Sequence, residues 1–286
     1  MSLIKSISGI RGTIGGVPGE GLSPLDIVKF TAAYATFMNR NSSCNSRTIV
    51  VGRDARLSGP MVSDIVIGTL TAMGMDVVNI GPASTPTTEI AVVEEKACGG
   101  IILTASHNPK EWNALKLLNE NGEFLNDAQG KEVLRIAEAG EYSFASVDDL
   151  GHVYHNDTYN RRHIEKVLSL DLVDTEAIGK ADFTVAVDAV NSVGGTIIPQ
   201  LLRALGVKNI IELNCEATGR FAHTPEPIPQ NLTQISELMA DGKADVGFVV
   251  DPDVDRLAIV MEDGRMFVEE YTLVSIADYV LSHTPG

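Results

Sequence analysis

Apolar and polar residues follow two alternating patterns along this chain. Short apolar runs that stop at polar loops, at residues 48–52 and 246–250, predict buried strands. Longer segments with apolar residues three or four positions apart predict helices between the strands. The first helix has a clear start, because Ser23 suits the N-cap, Pro24 the first turn and Asp26 the acidic position of a capping box. Strands that alternate with helices predict an α/β protein.

The order of the predicted elements repeats once, which indicates two similar domains. A strand, a polar loop, a helix closed by glycine and a second strand follow residue 50 and again residue 185. Such units predict parallel pairing and a helix-covered sheet in each half, although any β–α–β pair has this order. Because residues 140–151 are polar, we expect a first domain at 1–150 and a second at 151–268. Each should be a mixed sheet covered by helices.

Charge and cysteine content narrow the class of protein. The 286 residues include 22 basic and 38 acidic side chains, a formal net charge of −16. This charge argues against a general nucleic-acid binder, and an anionic substrate would need a local basic pocket. The three cysteines, Cys44, Cys98 and Cys215, are far apart, which predicts reduced thiols and a cytoplasmic protein. No apolar run approaches the roughly 20 residues of a membrane span, so we expect no membrane partner.

The first candidate site follows the apolar run at residues 99–103. Strand ends are where open α/β sheets place their chemistry, and here Ser106, His107 and Asn108 stand side by side. Pro109 disfavours helix at Asn108, so these side chains should lie on an extended or turning loop. A hydroxyl, an imidazole and an amide together form a candidate reactive site. The alternative is a turn in which Ser and Asn bond their own backbone.

The second candidate site is an acidic loop after the strand at 246–250. Asp251, Asp253 and Asp255 alternate there, and three carboxylates that converge suit Mg²⁺. An EF-hand has similar spacing, with Glu262 at its twelfth position. However, Arg256 stands where that loop requires glycine, and strands rather than helices are expected on both sides. A solvated acidic turn is the other alternative, and it explains poorly why the acids follow a buried strand.

Four motifs together resemble one family. Residues 104–109, Thr-Ala-Ser-His-Asn-Pro, resemble the phosphoserine loop of the α-D-phosphohexomutases, the phosphoglucomutase/phosphomannomutase superfamily. Residues 251–256, Asp-Pro-Asp-Val-Asp-Arg, resemble its metal-binding loop. Residues 8–12, Ser-Gly-Ile-Arg-Gly, and residues 52–59 match its other N-terminal signatures. The motifs occur in the family's order and span nearly the whole chain.

The resemblance implies a mechanism. Phosphorylated Ser106 would donate its phosphoryl group to a sugar monophosphate, and the resulting bisphosphate would turn and return its other phosphate to Ser106. The resemblance implies Mg²⁺ as cofactor, with Asp251, Asp253, Asp255 and the phosphate on Ser106 as its ligands. The reaction would interconvert hexose 1-phosphate and hexose 6-phosphate, with a hexose phosphate as the substrate.

The resemblance also assigns roles to other residues. Arg11 and Lys116 would assist acid/base chemistry at the sugar hydroxyl, although a solvent-facing strand position is the alternative for Lys116. His107 is either the base that helps Ser106 or a hydrogen-bond donor within the loop, with neither favoured. Arg256 and Asn108 would contact the bound substrate. For a separate group, Arg53, Asp54 and Arg56, we expect an ion-paired structural loop rather than direct catalysis.

The sequence departs from the family pattern in two ways. Ala114 stands where many relatives have glycine, which leaves Lys116 aligned. The sugar-specificity loop of a third domain and the phosphate-binding loop of a fourth are not in this sequence, and residues 269–286 resemble the start of the third domain. We therefore expect an N-terminal fragment that needs the missing C-terminal domains of the same chain and is inactive, or nearly so, alone.

The substrate sugar stays open among glucose, mannose and glucosamine. The opening motif at residues 8–12 slightly favours a phosphoglucosamine mutase. A catalytically silent protein that binds a sugar phosphate or a metal is an alternative from a different class, and phosphate on Ser106 would distinguish the two.

Overall fold

The chain folds into two compact units, Met1–Tyr159 and Asn160–Gly286. A computed structural model describes residues 2–6, 9–44 and 46–284. Ser8, the first residue of the opening motif, therefore lies outside the described residues. Each unit is an α/β fold with its own core.

The first unit contains these elements in chain order: β1 (Leu3–Ser6), β2 (Gly9–Thr13), α1 (Pro24–Asn41), β3 (Thr48–Arg53), α2 (Gly59–Ala72), β4 (Asp76–Pro82), α3 (Thr85–Glu94), β5 (Gly99–Leu103), β6 (Trp112–Leu118), α4 (Asp127–Ala139) and β7 (Val153–His155). Within the described residues, its seven strands form one sheet in the order β1-β2-β6-β5-β3-β4-β7. Strands β5, β3, β4 and β7 run parallel to one another. Strands β1, β2 and β6 are antiparallel to their neighbours.

Helices cover both faces of this sheet. Apolar residues of α1, α2 and α4 share a core with Ile49, Val51 and Ile101 of the central strands. On the opposite face, α3 packs with Val50 and Ile102. Alternate residues of β3 thus enter opposite cores, as expected for a strand buried on both faces.

Helix α1 begins as predicted. The Ser23 side chain accepts the backbone N–H of Asp26, and the Asp26 carboxylate accepts the backbone N–H of Ser23, so the capping box is complete. Such caps stabilise a helix by about 1 kcal/mol.

The second unit continues with α5 (Tyr159–Leu168), whose first residue closes the first unit, α6 (Thr175–Ala181), β8 (Thr184–Asp188), α7 (Gly194–Ala204), β9 (Asn209–Leu213), α8 (Thr233–Ala240), β10 (Val246–Val250), β11 (Leu257–Val260), β12 (Met266–Phe267) and α9 (Glu269–His283). Its sheet has the order β12-β11-β10-β8-β9. β8 runs parallel to β10 and β9, whereas β11 is antiparallel to β10. Helix α8 packs on one face of this sheet and α7 on the other. The predicted fold class, two similar mixed sheets covered by helices, is confirmed.

The two compact units meet after Tyr159, and the domain boundary expected at residue 150 stays a prediction. β7 pairs in parallel with β4, with Val77 opposite Val153, and so extends the first sheet. The first unit therefore continues to Tyr159. Helix α9 groups with the second unit, so its assignment to a further domain stays a prediction. In the described part of the chain, no helix has the length and apolar character needed to cross a membrane.

Candidate functional site

The carboxyl ends of two central strands of the first sheet, β3 and β5, bring two loops together. β3 and β5 run parallel and end side by side, with Arg53 opposite Leu103. Asp54 and Thr104 are the next residues of their chains, and the Thr104 hydroxyl donates a hydrogen bond of 2.7 Å to the Asp54 carboxylate. The carboxyl ends of parallel strands therefore place the two predicted loops in direct contact.

Ser106 lies in this loop in an unusual backbone conformation. Its φ of 48° lies in the left-handed region, which residues other than glycine and asparagine seldom adopt. This conformation costs about 1–2 kcal/mol. Ser106 is 9% exposed, and its backbone N–H donates to the Thr104 hydroxyl at 2.9 Å. The conformation is held by hydrogen bonds from the surrounding loop.

The Asn108 side chain takes part in the turn itself. Its amide nitrogen donates to the Ala105 carbonyl at 3.1 Å, and its backbone N–H donates to the same oxygen at 3.0 Å. The loop is therefore a side-chain-supported turn, as the alternative interpretation held. A turn of this kind can still present Ser106, and contact between Asn108 and a substrate stays a prediction.

A buried ion pair supports the same loop. The side chains of Asp54 and Arg56 are 0% exposed, and Arg56 Nε donates to Asp54 at 2.8 Å. Arg56 Nη1 also donates to the carbonyls of Pro109 at 2.9 Å and Trp112 at 3.0 Å, while Nη2 donates to the carbonyl of Ser106. The ion pair expected in this loop is present, and sequence reasoning missed that it binds the serine loop.

His107 lies within reach of the Ser106 side chain. Its Nδ1 is 3.3 Å from Ser106 Oγ. Which atom donates depends on the imidazole tautomer. The distance suits either a base that accepts the Ser106 proton or a donor that orients the hydroxyl, so both predicted roles for His107 stay open.

Arg11 and Lys116 project from one face of the sheet. Arg11 of β2 lies opposite Ala114 of β6, two residues from Lys116, and residues in these positions share a face. That face is the one covered by α3, which packs chiefly against β3 and β5. Arg11 Nε is buried and has no hydrogen-bond partner among the described residues. A buried guanidinium N–H of this kind suits an anionic ligand.

Lys116 is half-buried rather than fully solvent-facing. Its ammonium lies 5.7 Å from the centre of the Phe124 ring, a cation–π contact that helps to fix its direction. Sequence reasoning did not single out Phe124.

The three aspartates of the second unit converge as predicted. One carboxylate oxygen from each of Asp251, Asp253 and Asp255 lies within 4.8 Å of the others. Asp251 and Asp253 are 0% exposed. Two buried carboxylates so close repel one another, and oxygen donors of this kind suit a hard divalent cation such as Mg²⁺.

The loop that carries these acids is tightly turned. Asp251 Oδ1 accepts the backbone N–H groups of Asp255 and Arg256, each at 3.2 Å, and Val254 has a φ of 62°. β10 and β11 flank the loop as antiparallel strands, which rules out an EF-hand, since that motif requires helices. Burial of two of the three acids also argues against a solvated acidic turn.

Residues that the sequence did not single out support this loop. The Ser192 hydroxyl, from the loop after β8, donates to the Pro252 carbonyl at 2.7 Å. Asp188 ends β8 beside β10, in register with Val249. The parallel strand ends thus place the β8 loop directly against the acidic loop.

Asp188 anchors a second buried network. It accepts hydrogen bonds from the Asn214 amide and from His223 Nε2, each at 3.1 Å. His223 Nδ1 lies 2.9 Å from the Thr224 carbonyl, so both ring nitrogens face acceptors. Burial alone would lower the pKa of His223, but its hydrogen bond to Asp188 and the charge of Asp188 raise the pKa above its ordinary value. Because Asp188 and His223 are distant in sequence, no local pattern indicates the pair.

Arg256, the predicted substrate contact, is at the surface. Its guanidinium lies 3.9 Å from the Glu226 carboxylate, and both side chains are exposed. An exposed pair at this distance holds the arginine only weakly. Arg256 is therefore accessible to a ligand, and its role stays a prediction.

Comparison with known proteins gives a consistent result. Residues 3–143 match the family profile "Phosphoglucomutase/phosphomannomutase, alpha/beta/alpha domain I", and residues 161–264 match domain II of the same family. A "Phosphoglucomutase/phosphomannomutase" from Thermococcus kodakarensis is 35% identical over 96% of this chain and 60% of its own length. A "Probable phosphoglucosamine mutase" from Methanopyrus kandleri is 31% identical over 98% of this chain and 58% of its own.

A solved structure agrees. The phosphoglucomutase/phosphomannomutase family protein from Burkholderia thailandensis superposes with a TM-score of 0.80 at 26% identity, over 99% of this chain and 61% of that one. The chain thus spans about three fifths of the length of these relatives. The two matched regions together cover most of the sequence, and the chain belongs to the phosphoglucomutase/phosphomannomutase family, of which it contains α/β/α domains I and II.

Proposed function

We propose that this chain is the phosphoserine-bearing and metal-binding part of a Mg²⁺-dependent phosphohexomutase. The observation that carries the proposal is the serine loop. Ser106 is held in a left-handed conformation by buried hydrogen bonds, with His107 beside its hydroxyl. In a member of a phosphomutase family, such a serine is suited to carry the phosphoryl group between the 1- and 6-positions of a hexose.

In the proposed reaction, a hydroxyl of the sugar monophosphate attacks the phosphorus carried by Ser106. A new P–O bond forms as the bond to Oγ breaks. Lys116, in its neutral amine form, takes the proton of the sugar hydroxyl, and Ser106 Oγ takes a proton from the imidazolium of His107. The second half-reaction runs in reverse with the other phosphate of the bisphosphate, which restores phospho-Ser106 and both protons.

Neutralisation of charge is the main demand of phosphoryl transfer. The buried Nε of Arg11 suits a phosphate oxygen. Asp251, Asp253 and Asp255 would hold the Mg²⁺, and the family resemblance implies a phosphate oxygen on Ser106 as a further ligand. When bound, the ion would neutralise charge on the transferring group.

We further propose that additional domains of the same protein complete the contacts with the sugar. The relatives are longer than the region matched here, and α9 exposes large apolar side chains, including Leu273 and Leu281, that such a domain would cover. On this proposal the chain alone still accepts a phosphoryl group on Ser106 from a bisphosphate, but it turns over hexose monophosphates poorly or not at all. Relatives named for glucose or mannose and for glucosamine phosphates keep all three sugars open.

The three cysteines are free thiols. This state fits the reducing cytoplasm, where we propose that the enzyme works.

Phosphate on Ser106 tests the proposal directly. The chain is incubated with Mg²⁺ and a hexose 1,6-bisphosphate, and its mass is measured intact and by peptide mapping across residues 103–110. We expect one phosphoryl group on Ser106 and none in the Ser106→Ala variant. If Ser106 stays unmodified while a full-length mutase from the family is phosphorylated in the same buffer, the chain is better described as a catalytically silent binding protein.

A further inference from the structure

The Asp54–Arg56 pair sits directly beneath the serine loop, without exposure to solvent. Resting on the proposed function, we propose that this pair positions Ser106 for phosphoryl transfer, with Thr104 as the link between them. None of the three residues is assigned a chemical step. Their role is to fix the direction of the Ser106 side chain.

Stability alone is a poor explanation for the pair. A buried ion pair costs several kcal/mol per ion in lost hydration, and apolar side chains of similar volume often stabilise a fold as well or better. What apolar side chains cannot do is hold carbonyl groups. Arg56 donates to the carbonyls of Ser106, Pro109 and Trp112, which belong to the loop and to the first residue of β6. The pair therefore ties the serine loop to the sheet.

Both backbone polar groups of Ser106 end in this network. Its N–H donates to the Thr104 hydroxyl, which donates in turn to Asp54. Its carbonyl accepts from Arg56, which is paired with the same carboxylate. The peptide groups on both sides of the Ser106 Cα are thus held, and the φ of 48° is kept despite its cost.

If either link is lost, the backbone can relax toward an ordinary φ. The Cα–Cβ bond of Ser106 then points elsewhere, and Oγ moves away from His107. Displacement of a reacting atom by about 1 Å can slow an enzymatic step roughly 100-fold.

Arginine suits this role in a way that lysine does not. The planar guanidinium donates in several fixed directions at once, whereas an ammonium is a point charge with a flexible stem. Arg56→Lys keeps the positive charge but loses the planar set of N–H donors that reaches several carbonyls at once. Thr104→Val keeps the shape but removes the hydroxyl, and Thr104→Ser restores the hydroxyl.

The test measures phosphorylation of Ser106 by a hexose 1,6-bisphosphate and Mg²⁺ as a function of donor concentration. We expect the maximal rate constant to fall about 100-fold in Arg56→Lys and at least about 10-fold in Thr104→Val. The donor concentration for half-maximal rate should change less than about threefold, because the variants misplace Oγ without removing a ligand contact. Thr104→Ser should recover most of the wild-type rate.

Arg135→Lys is the matched control, since Arg135 pairs with Glu132 and Glu141 on the surface of the same unit. It should react like the wild type. Circular dichroism establishes whether each variant is folded. If Arg56→Lys does not fold, the comparison of Thr104→Val with Thr104→Ser tests the positioning role. Wild-type rates in folded Arg56→Lys or Thr104→Val would overturn the positioning role and leave the proposed function intact. An unreactive wild-type chain would instead contradict the proposed function.

Discussion

Replacing Asp54 by Asn separates the charge of the buried pair from its shape. The substitution leaves the volume almost unchanged, but the Arg56 guanidinium loses the carboxylate to which its Nε is bonded. In the wild type, Oδ2 accepts both Arg56 Nε and the Thr104 hydroxyl, and Oδ1 accepts the backbone N–H of Arg56. In the variant one of these two oxygens is an NH2 group, which cannot accept the hydrogen bonds at its position. Removing one partner of a fully buried ion pair typically costs about 3–5 kcal/mol.

That cost is large against the total stability of a domain, which is about 5–15 kcal/mol. For a unit of this size, 1 kcal/mol corresponds to a shift of roughly 2–4 °C in Tm, so we expect the first unit to melt roughly 6–20 °C lower. Trp112 is the single tryptophan of the chain and lies in the first unit. Its fluorescence during urea or thermal unfolding therefore reports on that unit specifically.

The chain provides a matched control in Asp263→Asn. Asp263 makes the same two hydrogen bonds to Arg265, through the backbone N–H and Nε, that Asp54 makes to Arg56. The Asp263 pair is exposed, so solvent replaces the lost charge and unfolding followed by circular dichroism should not change measurably. A loss below about 1 kcal/mol in Asp54→Asn would refute the reasoning, because it would mean that the guanidinium is well solvated despite its burial.

Three further outcomes follow from the structure. Ser106→Ala should abolish phosphorylation of the chain, and turnover of a full-length enzyme, without lowering Tm by more than a few degrees; turnover close to that of the wild type would contradict the mechanism. Asp253→Asn should weaken Mg²⁺ binding by roughly 10–100-fold or more in calorimetry, since one anionic ligand is lost, and unchanged affinity would place the metal elsewhere. The pKa of His223 is raised in the folded state, so its hydrogen bond to Asp188 stabilises the second unit fully when pH is below the unfolded pKa of about 6.5. This stabilisation is lost progressively as pH rises through the folded pKa. The stability difference between wild type and His223→Gln should therefore shrink as pH rises above about 6.5, and a difference that grows with pH would refute the charged state of His223.

Much of the fold follows from local patterns in the sequence. The start of α1 is encoded within four residues, because Ser23 and Asp26 satisfy one another's backbone groups. Buried strands such as β5 and β10 are continuous apolar runs, and the polar residues that follow them are the candidate sites. Because parallel strands present their carboxyl ends at one edge of a sheet, short polar motifs after such runs are enough to locate candidate sites.

Elements without an apolar pattern could not be predicted. All three residues of β7 are exposed, and the strand exists because β4 offers an edge for pairing. Helix α6 buries none of its residues, so no periodicity reveals it. β6 contains the polar residues Asn113 and Lys116, and its first half is held as a strand by pairing with β2.

The supporting network of the serine loop was equally hidden. An arginine in a polar loop is usually solvated, and the burial of Arg56 depends on carbonyls around 50 residues away in sequence. The Asp188–His223 pair is similar, since it forms only when the loop before α8 folds back on β8. Long-range hydrogen bonds of this kind leave no signal in composition or periodicity.

Every hydrogen bond described for the serine loop comes from residues of the first unit, between Asp54 and Trp112. The backbone geometry that, on the proposed function, directs Ser106 for phosphoryl transfer is thus encoded in one contiguous stretch of fewer than 60 residues. On the proposed function, substitutions outside this stretch that spare Arg11, Lys116 and the three aspartates can change which sugar is selected without moving Ser106. Such a separation allows one family to diversify its substrates around an unchanged chemical step.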